Sequence, residues 1–170
     1  VNLGIAYRDL SSENLENLSK LSIRESLIGI YETFYTWGRG HVYSNSKIFK
    51  IKNNFLLKNK LNEGRGLIAV SIHNRSVDML LKWINSQITT VSLYKKIKNK
   101  FLDKFVKNDR QHNGAKCYET SFKGVKEILK TLNEKKAVCF AADQVPQRGM
   151  GEYIKFYGTD AYSTTLVQSL

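Results

Sequence analysis

His73 and Asp78 are the residues of this sequence whose types and spacing first suggest a reaction. His73 follows the apolar run Leu67-Ile68-Ala69-Val70-Ser71-Ile72, which reads as a buried strand. Asp78 comes five residues later, in the first turn of a helix whose apolar positions are Val77, Leu80, Leu81 and Ile84. A neutral imidazole can take the proton of a hydroxyl as that hydroxyl attacks an acyl carbonyl, while a carboxylate on the other ring nitrogen fixes the tautomer and stabilises the imidazolium. The same two residues also suit a plainer arrangement, a strand-end histidine and a favourable first-turn charge. Spacing alone leaves both open.

Four other positions could bind what such a pair acts on. Arg110 offers a planar fork for phosphate or developing negative charge, or is a surface arginine. Asp143 closes a second apolar run, 137–142, where it can orient a loop, touch substrate or start a turn. Gly149 and Gly151 would let main-chain N–H groups approach an anion, or simply turn the chain.

These residues need elements to position them. Leu15, Leu18, Leu21, Leu27, Ile30, Tyr31 and Phe34 recur at three- to four-residue spacing, predicting a helix capped by Ser12 and ended by Gly38 and Gly40. Its apolar stripe, with the aromatic cluster Tyr31, Phe34, Tyr35 and Trp37, is expected to face the core rather than form an interfacial belt. Residues 39–60 carry only a weak pattern. From 67 onward strands and helices alternate. Strand 67–72 leads to a helix capped by Asn74, and 87–93 returns to strand character. The segment 95–107 sets Ile97, Phe101 and Phe105 against six lysines as a basic amphipathic helix. Ser121 opens a helix through Val125, Ile128 and Leu132, and 137–142 is the second apolar strand. This alternation predicts an α/β fold, a mostly parallel sheet flanked by helices, in one domain over 1–170.

Composition bounds the partners. Among 170 residues, 27 Lys and Arg stand against 15 Asp and Glu, for a net charge of +12, so phosphate-bearing ligands or an anionic membrane surface are favoured. Cys117 and Cys139 lie far apart with no Cys-x-x-Cys pair, and His41 and His112 have no ligand spacing with them; a disulfide framework and a metal site are not expected, and a reducing compartment is. No apolar window is long enough to span a bilayer. A nucleic-acid-binding module is permitted by charge, but no stacking platform or groove-reading motif accompanies the basic residues, and no nucleic acid is expected. The chain starts at Val1 and stops at Leu170 without a clear end signal, so it reads as a piece of a longer polypeptide.

The run 67–81 resembles the H-x4-D/E block of the glycerolipid acyltransferase superfamily. Arg110 before Gly114-Ala115 is similar to that superfamily's arginine block. Ala142-Asp143-Gln144, the glycines 149 and 151, Phe156-Tyr157-Gly158 and Ser163-Thr164-Thr165 resemble its later series. In order and spacing the three blocks look most like the late lipid A acyltransferases, the lauroyl and myristoyl group. Asp78 stands where that group usually has Glu, Asn74 where an aromatic is usual, and Lys95-Lys96 where Arg-Pro is common. The resemblance implies transfer of a fatty acyl group from a thioester donor, acyl carrier protein, to a hydroxyl of a lipid A precursor, a phosphorylated glycolipid, at the cytoplasmic face of the bacterial inner membrane. It makes His73 the general base, Asp78 its orienting partner and Arg110 a phosphate or charge holder. It implies no cofactor, and a missing amino-terminal anchor and last third. Another lysophospholipid or glycolipid acyltransferase is the alternative within the superfamily. The basic helix would then meet the anionic bilayer or the acidic carrier protein, unless it is simply a solvated lysine face.

Overall fold

The computed structural model describes residues 2–170. A short helix α1 (Asn2–Ala6) precedes α2 (Ser12–Trp37), whose N-cap is Ser11, one residue before the expected Ser12. Two short helices, α3 (His41–Ser46) and α4 (Phe55–Asn62), occupy the weakly patterned stretch. Then come β1 (Leu67–Ser71), α5 (Val77–Gln87), β2 (Thr90–Tyr94), α6 (Lys100–Arg110), β3 (Lys116–Glu119), α7 (Phe122–Asn133) and β4 (Ala137–Ala141). A hairpin, β5 (Gly151–Phe156) and β6 (Thr159–Thr164), leads into the terminal turn of helix α8 (Leu166–Ser169).

The first four strands form one parallel sheet in the order β1-β4-β2-β3. This is the α/β arrangement expected, with helices on both faces. β4 shows why a continuous apolar run marks a doubly covered strand. Its Ala137 and Cys139 pack with Leu81, Ile84 and Ile88 of the α5 side, and its Val138 and Phe140 pack with Ile128 of α7. Ser76, not Asn74, caps α5 by accepting the Met79 amide at 3.2 Å, and Ser121 caps α7 as expected.

Two expectations about helix faces are corrected. Leu21, Leu27, Ile30, Tyr31 and Phe34 of α2 are each more than half exposed, so this stripe is not core. A 26-residue helix runs about 39 Å, and most of that length finds no element to pack against. Its carboxyl end joins α5 through polar contacts instead: Thr36 is fully buried and its hydroxyl lies 3.3 Å from that of Ser76. Helix α6 begins at Lys100, not 95, because Asn99 caps it. That register turns Leu102 and Val106 inward and leaves Phe101 and Phe105 in water.

Candidate functional site at the carboxyl ends of the strands

β4 lies between β1 and β2, so the chain leaves β1 and β4 side by side at the same end of the sheet. Ser71 pairs with Ala141, and the Ala142 amide donates to the Ser71 carbonyl at 3.1 Å. Two residues beyond that pair, His73 and Asp143 must face one another. They do so twice: the His73 amide donates to Asp143 Oδ2 at 2.6 Å, and ring Nδ1 lies 2.7 Å from Asp143 Oδ1. The carboxylate can only accept, so the ring proton sits on Nδ1 and Nε2 carries the free lone pair. That lone pair meets the side-chain amide of Gln144 at 3.0 Å, which must therefore turn its NH2 toward the ring. Burial works to raise the Asp143 carboxyl, but the two His73 bonds outweigh it and hold it below the usual carboxylate range.

Asp78, expected beside the ring, is elsewhere engaged. It is buried, and Arg110 clamps it with Nε to Oδ1 at 2.6 Å and a second bond to Oδ2 at 3.2 Å. Both oxygens point to α6, because the first turn of α5 faces that helix. Arg110 correspondingly gives Nε and one terminal nitrogen to Asp78 rather than to a ligand. Desolvation opposes its charge, and the Asp78 bond overrides it, so its pKa is raised. Lys82 and Asn85 continue the stripe one and two turns on. Buried Lys82 donates to Asp109 Oδ1 at 2.9 Å and to the carbonyls of Thr36 and Arg39 at 2.5 and 2.8 Å; Asn85 donates to the Arg110 carbonyl at 3.3 Å. Thus α5 fastens the ends of α2 and α6 to the sheet.

Gly149 and Gly151 lie apart from this chemistry. Their amides both donate to the Tyr162 hydroxyl, at 2.9 and 3.1 Å, so neither is free for an anion. A Cβ on Gly151 would stand 2.3 Å from the Ser163 carbonyl oxygen, so the close pairing of β5 with β6 requires glycine there.

His73 opens on two hollows. One, of about 400 Å³, sits over the strand ends, with Tyr94, Arg110, Cys139, Phe140 and Gln144 in its walls. The other, of about 630 Å³, runs along α2 past Gly29, Ile30 and Phe34. The ring is therefore reachable from two sides, as a base between two reactants must be. Cys139 is no rival nucleophile: burial pushes its thiol up to about 11, leaving almost no thiolate at neutral pH.

The sequence places His73 at the end of a strand, where it is found, but its pattern does not join the ring to Asp143, 70 residues away. Parallel pairing of two apolar runs, each followed at the same distance by His or Asp, was the available signal. Gln144 and Lys82 were missed. For Lys82 the clue was an Asp-Lys-Asn series at positions 78, 82 and 85, one polar line along an otherwise apolar helix. A family model described as bacterial lipid A biosynthesis acyltransferase matches residues 1–170. No curated protein matches the chain.

Proposed function

Because the chain belongs to the bacterial lipid A biosynthesis acyltransferase family, matched over residues 1–170, we propose that His73 is the general base of its acyl transfer and that Asp143 orients it. Acyl transfer in lipid A synthesis is the activity of the family. The donor in this reading is acyl carrier protein, the acceptor a hydroxyl of a phosphorylated glycolipid precursor, and the place the cytoplasmic face of the bacterial inner membrane. Residues 1–170 act as one acyltransferase domain. The observation that carries the reading is the His73–Asp143 contact of 2.7 Å at the junction of two hollows.

The chemistry follows from the tautomer. The acceptor hydroxyl displaces the Gln144 amide and hydrogen-bonds to Nε2. As its oxygen attacks the thioester carbonyl, Nε2 takes the proton and Asp143 stabilises the imidazolium. The tetrahedral intermediate then expels the thiolate, which recovers the proton from Nε2, so the ring ends as it began. A thioester is already activated, and positioning with one base is enough to carry the exchange. Asp78 and Arg110 act in this scheme by fixing α5 and α6 around the cavity wall.

Transfer from an acyl-thioester to a hydroxylated glycolipid by purified protein tests the roles. His73→Ala is expected to remove turnover, and Asp143→Asn to lower it by about a hundredfold or more, the usual contribution of an oriented base. Both variants should retain the circular dichroism of the parent. Full activity of either would remove that residue from the mechanism.

A further inference from the structure

The stretch between α2 and β1 takes no part in this chemistry, yet it is strongly basic. Residues 38–66 contain seven Lys and Arg and one acid, Glu63. Among them Lys47, Lys50, Lys52 and Lys58 are exposed, and no carboxylate lies within ion-pair reach of these four among the described residues; Lys60 turns to Glu63 at 2.7 Å. Between the lysines stand large apolar groups in open water. Phe49 is 97% exposed and Val42 87%, and Phe55 and Leu56 are exposed as well. Folding accounts for little of either feature: the Phe49 ring gains almost nothing from the core, and of the four lysines Lys47 alone lies over an aromatic ring, that of Tyr43 at 4.8 Å, among the described residues.

The two features together match one environment. Aromatic and aliphatic side chains gain by entering the acyl boundary of a bilayer, while lysines on flexible stems reach its phosphates. An acidic protein surface would satisfy the charges but would leave Phe49 unexplained. The hollow next to this stretch strengthens the match. About 700 Å³ in size, it has Lys47, Ile48, Lys50 and Ile51 on one side and Asn74 and Arg75, the neighbours of His73, on the other. Tyr31, from the exposed stripe of α2, completes its rim. Glu32 of α2 also lines this hollow, and Glu25 and Glu32 face Arg75 at 2.9 and 3.8 Å.

We propose that α3, α4 and the loop between them seat the protein on an anionic bilayer, with Phe49 and Phe55 in the acyl boundary and Lys47, Lys50, Lys52 and Lys58 on the headgroup phosphates. This rests on the acyltransferase reading and deepens it, for a lipid leaving the bilayer under this surface meets the hollow walled by Asn74 and Arg75, the residues that follow His73.

Sedimentation of the full chain with phosphatidylcholine vesicles, with and without phosphatidylglycerol, tests the seat. The chain is expected to bind the anionic vesicles more tightly and to lose affinity as salt rises. Lys52→Gln with Lys58→Gln should weaken anionic binding about thirtyfold. Phe49→Ser with Phe55→Ser should weaken it about tenfold or more and leave the salt dependence in place. Neither pair lines a hollow, so acylation of a detergent-dispersed acceptor should stay at the parental rate. Equal binding to both vesicle types, or binding that neither pair weakens, would overturn the seat even with catalysis intact. Loss of catalysis on His73→Ala with vesicle binding unchanged would support both readings. Parental catalysis in that variant, with vesicle binding retained, would sink the base and leave the seat standing.

Discussion

Of the two aspartates, 143 meets the His73 ring and 78 meets Arg110, and these different surroundings make the roles proposed for them testable. Asp78 is buried against Arg110, whereas Asp143 is a third exposed on its side chain and bonds His73. Breaking a buried ion pair leaves an uncompensated charge and costs about 3 kcal/mol or more. Asp78→Asn should therefore lower the melting temperature by about 6–12 °C, since about 2–4 °C accompanies each kcal/mol in a domain of this size. Asp143→Asn should move it little, because solvent screens the exposed pair. Thermal scans of the two variants alongside their rates separate a scaffold acid from an orienting one; equal melting shifts would contradict the division. The direction of the Asp143 shift also fixes a pH expectation. A carboxyl lowered in the folded state from its ordinary value contributes stability that is present above that value and lost as pH falls through the lower one. Asp143 thus stays ionised throughout the acid side of an activity profile. The acid limb of kcat/KM should survive in Asp143→Asn with a lowered plateau, and its disappearance would assign that limb to Asp143 instead.

At the scale of elements, helix α5 is the part that gathers the site, and it does so with polar groups in a buried seam. Lys82 directly satisfies two carbonyls at the end of α2 and one carboxylate of α6. Beside it His41 stacks on His112 with ring centroids 3.7 Å apart, and burial, then the charges of His112 and Lys82, push its pKa down. A neutral His41 and a charged Lys82 are the mutually consistent arrangement. Lys82→Met keeps the helical stem and removes the ammonium, which strands Asp109 and two carbonyls. The expected loss is about 3 kcal/mol in denaturant unfolding, with a matching loss of kcat/KM as Arg110 and the end of α2 drift from the cavity. A variant as stable as its parent would show the seam to be dispensable. Sequence alone disclosed β1, α5, β2, α7 and β4, because each has strong periodicity or a continuous apolar run. It did not disclose β3, a four-residue edge strand with one buried residue, or the short helices α3 and α4, where Val42, Tyr43, Phe55 and Leu56 are exposed and only Leu57 and Leu61 of α4 pack against the core, too few to leave a periodic trace. The ring partner of His73 was hidden for a different reason: it is fixed by strand order, and placing β4 next to β1 is a tertiary decision that neither run encodes locally.

Across the whole molecule, stability is distributed unevenly, and the distribution follows from how the strands are covered. β4 has neighbours on both edges and helices on both faces, and Val138 is fully buried. The β5–β6 hairpin pairs only with itself; Tyr153, Ile154, Phe156 and Tyr157 stand in water. Its turn sets Tyr157 and Gly158 both at positive φ, the geometry that matches the twist of a two-residue hairpin but strains a tyrosine. It is tied down by the Tyr162 hydroxyl accepting two loop amides and by Arg8 donating to the Tyr157 carbonyl at 3.1 Å. A lone two-stranded hairpin is marginal in water, so these few bonds decide its persistence. Amide hydrogen exchange should find β4 protected to the level of global unfolding and β5–β6 opening locally at a much lower free energy. Arg8→Ala, which removes the tether from the turn after α1, should quicken exchange in the hairpin and leave β4 untouched. Hairpin amides as slow as those of Val138 and Cys139 would mean that the hairpin belongs to the cooperative core, and its exposed aromatics would then need another account.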